Sequence, residues 1–142
     1  MILGNTNILL VDNRKTTIEN IKKSFSEINI KHTLFSAKNE NEAWLMLNGT
    51  HKLTPVPKIV LIDVNRTKNK GINLLNAIRN HPDLKSILVF VITDSDHGKN
   101  KTAALNLNIA GYIPLSFESQ QLNHFFSVLN DYWNIIEFSS QK

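Results

Sequence analysis

The sequence predicts a doubly wound α/β domain, and three observations carry that prediction. Two runs, Ile8-Leu9-Leu10-Val11 and Ile59-Val60-Leu61-Ile62, are apolar at every position, as strands covered on both faces of a parallel sheet must be. Each run ends in a carboxylate, Asp12 and Asp63. Apolar runs and helical stripes then alternate along the chain, the pattern of helices packed on both faces of a mostly parallel sheet. Two such strands side by side bring both carboxylates to one sheet edge, where open α/β sheets hold their sites.

Strands are expected near 7–11, 33–36, 58–62, 87–92 and 111–114, and helices near 15–27, 39–48, 71–80, 99–108 and 118–133. The first helix carries Ile18, Ile21, Phe25 and Ile28 at spacings of three or four, an amphipathic stripe. The second presents Ala43, Leu45, Met46 and Leu47 and stops at Asn48-Gly49, a helix-ending pair. The third begins at Gly71, presents Ile72, Leu75 and Ile78, and ends at Asn80-His81-Pro82. Asn106 to Gly111 reads as a helix ending before a strand. The last helix presents Leu122, Phe125, Phe126, Val128 and Leu129, then Tyr132 and Trp133. The segment 49–57, with Pro55 and Pro57, suits a connection.

A length of 142 residues fits one domain, 1–142, with 134–142 as a C-terminal extension. The absence of cysteine removes disulfides and thiolate chemistry. No apolar stretch approaches roughly 18 residues, and no basic segment leads into one at the N-terminus, so neither a membrane span nor a signal peptide is expected. The formal charge of +4 invites a nucleic-acid partner. However, Arg14-Lys15, Lys22-Lys23, Arg66-Lys68-Lys70 and Lys99-Lys101 are dispersed and read as solvated surface. The five histidines are scattered without ligand spacing, and neither a P-loop nor a G-x-S-x-G elbow occurs.

The order and spacing of ILLVDN at 8–13, VLIDVN at 60–65, Gly71, VFVITD at 89–94 and GYIPLSF at 111–117 resemble the receiver domain of two-component response regulators. HPDLKSILVFVITDSD and NDYW resemble stand-alone receivers that partner phytochrome-type sensor kinases. The resemblance implies a flavodoxin-like, five-stranded parallel sheet of order 2-1-3-4-5. It assigns phosphorylation to Asp63, magnesium to Asp12, Asp63 and the backbone carbonyl of Asn65, phosphoryl sensing to Thr93, and a rotameric switch to Tyr112. Four positions depart from the family: Asn13 stands for the second acid, Asp94 for a small residue, Leu115 for the lysine that pairs with the phosphoryl group, and Ser116 for the proline after it.

The expected function is that of a receiver accepting a phosphoryl group on Asp63 with Mg²⁺ from a sensor histidine kinase or phosphotransfer protein, and signalling by protein contact. In enzyme terms it is a phosphoacceptor with slow self-dephosphorylation. The alternative is a pseudo-receiver that binds partners without phosphorylation, which Asn13, Asp94, Leu115 and Ser116 favour. The residues keep bland readings too: Thr93 as a β-branched strand end, Tyr112 as an aromatic closing the sheet edge, Asp12 and Asp63 as strand-end polarity. The apolar last helix and tail suit a homodimer, and a cytoplasmic setting is expected.

Overall fold

The structure, a computed structural model, describes residues 7–63, 70–93, 108–114 and 119–135. In chain order these form β1 (Asn7–Val11), α1 (Lys15–Glu27), β2 (Thr33–Ala37), α2 (Glu40–Asn48), β3 (Ile59–Asp63), α3 (Lys70–Asn80), β4 (Leu88–Thr93), β5 (Gly111–Pro114) and α4 (Ser119–Ile135). The five strands make one parallel sheet of order β2-β1-β3-β4-β5, the order the sequence resemblance implied. The helix expected near 99–108 lies almost wholly outside the described residues. Asn108 itself has left-handed backbone with φ 56°, which asparagine tolerates better than most residues.

Alternation along the central strands divides the core by sheet face. Leu9, Val11, Val60, Ile62, Val89 and Val91 pack with Ala43 and Leu47 of α2 and Leu74, Leu75 and Ile78 of α3. Ile8, Leu10, Ile59, Leu61, Phe90 and Ile92 pack with α1 and α4 through Ile21, Phe25, Leu122, Phe126 and Leu129. Phe25 and Phe126 meet edge to face with centroids 4.9 Å apart, and Ser24 Oγ donates to Asn123 Oδ1 across the same helix pair. All five β3 residues and four of the five in β1 are buried, which is why their sequence is apolar throughout rather than alternating.

Three positions expected on apolar helix stripes are exposed: Leu45 at 38%, Val128 at 56% and Tyr132 at 45%. At about 100° per residue, Ala43 and Leu47 share the inner face of α2, and Leu45 falls opposite them. Leu122, Phe126 and Leu129 likewise turn Val128 outward. Asn39 caps α2 by accepting the Glu42 N–H at 2.8 Å, so the helix begins one residue after the expected boundary. Gly49 ends α2, but with φ −123° rather than a left-handed turn. Glycine suits the place because a Cβ there would lie 2.7 Å from the Leu45 Cα.

Candidate functional site

The site follows from the β1–β3 register. Ile8 pairs with Ile59, Leu10 with Leu61 and Val11 with Ile62, so the next step sets Asp12 opposite Asp63 at the C-terminal edge of the sheet. Asp12 continues the ladder past the strand, donating its N–H to Ala37 O on β2 at 3.0 Å. By alternation both acids fall on the face occupied by α1 and α4. Both side chains are 0% exposed, and burying two like charges is costly without a counter-charge or hydrogen bonds.

Arg14 supplies that counter-charge. Its backbone N–H donates to Asp12 Oδ1 at 2.8 Å, an Asx-type turn between β1 and α1. Its Nη2 donates to Asp63 Oδ2 at 3.1 Å, and its Nε lies 3.7 Å from Asp12 Oδ1. The sequence pattern puts Arg14 among the solvated surface cations, yet its side chain is only 29% exposed. One local signal marks it. Arg14 occupies the N-cap of α1 with extended backbone and makes no side-chain cap bond. Serine, threonine, aspartate or asparagine would serve the helix better there, and such lapses in local preference gather at functional sites.

Of the other expected residues, Asn13 is exposed beside the buried pair. Thr93 ends β4, one residue beyond Ile92, the register partner of Asp63. Tyr112 lies on β5 opposite Val91. Asn65, Asp94, Leu115 and Ser116 lie outside the described residues.

The donor chemistry suits a hard divalent cation. Two carboxylates converge, and Asp12 Oδ2, fully buried, has no hydrogen-bond partner among the described residues. A buried oxygen of this kind is a ready ligand for an ion that prefers oxygen.

A parallel sheet of this order with an acidic pair at its C-terminal edge is the arrangement that the resemblance to receiver domains implied. Residues 8–126 match the response regulator receiver domain, and the chain belongs to that family. It is 27% identical over 128 residues to response regulator Rcp1 of Synechocystis sp. (strain ATCC 27184 / PCC 6803 / Kazusa), covering 89% of this chain and 87% of that protein. The Mn²⁺-bound form of Rcp1 superimposes with a TM-score of 0.80 at 25% identity, covering 95% of this chain and 99% of that one. The phosphorylated cyanobacterial phytochrome response regulator RcpA gives a TM-score of 0.84 at 24% identity, covering 96% of this chain and all of the other. A two-component response regulator from Legionella pneumophila gives 0.75 at 29% identity, covering 89% and 99%. The protein is thus a response regulator receiver of two-component signalling. Receivers of such systems interact with histidine kinases or phosphotransfer proteins. Among the described residues, no helix is long and apolar enough to cross a membrane.

Proposed function

We propose that this receiver takes a phosphoryl group onto Asp63 from the phosphohistidine of a sensor kinase or phosphotransfer protein in the cytoplasm. A carboxylate oxygen of Asp63 forms the new O–P bond as the N–P bond breaks, and the electron pair stays on the imidazole nitrogen. Asp12, Asp63 and the Asn65 carbonyl are the residues to hold Mg²⁺, which when bound offsets charge gathering on the transferred group. The observation that carries the reading is the pair of wholly buried carboxylates on adjacent strands, one with an oxygen that has no hydrogen-bond partner among the described residues. Thr93, ending the neighbouring strand, is the hydroxyl to follow the phosphoryl group, and Tyr112 on β5 the residue to relay it. Intact-mass measurement with acetyl phosphate tests the proposal. A Mg²⁺-dependent phosphoryl adduct, absent from Asp63→Asn, is expected; its absence with both acetyl phosphate and a competent kinase would refute the reading.

A pseudo-receiver is the second reading, favoured by the Arg14–Asp63 contact, which gives Asp63 a counter-charge without any ligand. It predicts equal partner affinity for the wild type and Asp63→Asn. A second copy of the chain docking on α4 is supported by the outward Val128 and by Tyr132, 45% exposed. Sedimentation over a wide concentration range, with Val128→Lys as comparison, tests it.

A further inference from the structure

Building on the phosphoacceptor reading of Asp63, we propose that Arg14 is the pocket's own phosphoryl-binding cation, standing in for the lysine that Leu115 replaces. Three observations converge on it. Arg14 Nη2 already lies 3.1 Å from Asp63 Oδ2, so a group built on that carboxylate emerges beside the guanidinium. The Arg14 N–H bond to Asp12 Oδ1 at 2.8 Å fixes the base of the side chain to the other acid of the site. The residue also forgoes capping α1, and its side chain turns back over the sheet edge rather than into solvent.

The chemistry suits the role. A guanidinium presents a planar fork of donors that matches phosphoryl oxygens and keeps its charge throughout. It originates from the β1–α1 turn, whereas Leu115 follows β5, so the cation approaches from the other side of Asp63. Two carboxylates against one guanidinium leave one net negative charge on these three groups. Arg14 and a divalent ion therefore compete for Asp63 before transfer, and the guanidinium passes to the phosphoryl oxygens after it. With acetyl phosphate, an Asp63 oxygen bonds to phosphorus, the bond from phosphorus to the acetyl oxygen breaks, and acetate leaves with the electron pair. No proton moves, and Arg14 stays charged.

Two titrations of the full chain test the role, each with wild type, Arg14→Gln, Arg14→Lys and Asp63→Asn. The first measures beryllofluoride, a stable phosphoryl mimic, binding in saturating Mg²⁺ by fluorine NMR. The second measures Mn²⁺ alone by calorimetry. Arg14→Gln should bind the mimic at least tenfold more weakly, with Arg14→Lys between it and wild type. The same Arg14→Gln should bind Mn²⁺ severalfold more tightly, an effect that general loss of structure would reverse. Wild-type affinity for the mimic in Arg14→Gln, or weaker Mn²⁺ binding, overturns the inference while leaving Asp63 as phosphoacceptor. A wild-type chain that binds no mimic and gives no acetyl phosphate adduct sinks the phosphoacceptor reading instead, and Arg14's phosphoryl role with it.

Discussion

Asp12 and Asp63 leave adjacent parallel strands side by side, one register step beyond the Val11–Ile62 pair, and both are wholly buried. Among the described residues one guanidinium faces two acids there, and Asp12 Oδ2 has no hydrogen-bond partner. A site in this condition gives up stability in return for binding capacity. Asp12→Asn keeps an oxygen to accept the Arg14 N–H and removes one buried charge. The variant should be about 1 kcal/mol more stable while binding Mn²⁺ at least tenfold more weakly. Urea unfolding and calorimetry check the two halves; a less stable variant with unchanged metal affinity would contradict the account.

Much of this was legible in the sequence, for a physical reason. Strands buried on both faces carry no polar residue until they reach the sheet edge, so Ile8–Val11 and Ile59–Ile62 announce both their place and the meaning of the acids that follow. Helix faces were less legible. Leu45 and Val128 are apolar but point outward, since hydrophobicity alone does not say which side of a stripe meets the sheet. Arg14 was the real omission. Along the chain it is one of two adjacent cations at a helix start, set apart from solvated surface only by its poor fit to the N-cap position. Only the folding of β3 beside β1, 49 residues away in sequence, gives it a partner.

Arg79 holds a second arrangement that sequence spacing does not show. From the last turn of α3, its Nη1 donates to Lys85 O at 2.9 Å and Ile87 O at 2.8 Å, and its Nη2 to Asn108 O at 2.9 Å. One side chain thereby ties a helix end to the approaches of β4 and β5. Arg79→Ala should cost roughly 2–3 kcal/mol, and Arg79→Lys most of that, since one ammonium cannot span the fork. Urea midpoints decide it; a lysine variant as stable as wild type would show that charge alone suffices.

Gly49 separates two reasons for a glycine at a helix end. Its φ of −123° is open to any residue, so alanine there brings no backbone strain and would ordinarily stabilise by reducing the freedom of the unfolded chain. The obstacle is contact: the new Cβ would lie 2.6 Å from Leu45 Cδ2 and 2.7 Å from Leu45 Cα. Gly49→Ala should therefore destabilise by about 1–3 kcal/mol. Adding Leu45→Ala removes the first clash and leaves the second, so it should not restore stability. Full rescue in the double variant would assign the effect to the leucine side chain instead.

His32, just before β2, gives stability a pH dependence whose direction follows from burial. Desolvation disfavours its charged form and holds its pKa below the ordinary 6.5. Above about pH 6.5 the imidazole is neutral whether the chain is folded or not, and its burial costs nothing in protonation. As pH falls through 6.5, the unfolded chain takes up a proton that the folded chain still refuses, so stability drops until the lowered folded pKa is passed. Replacing the residue removes that slope. Thermal unfolding of His32→Gln should change less between pH 7 and pH 5 than that of wild type, with the two curves converging in shape above pH 7. A variant with the same acid sensitivity as wild type would show that other groups govern stability in this range.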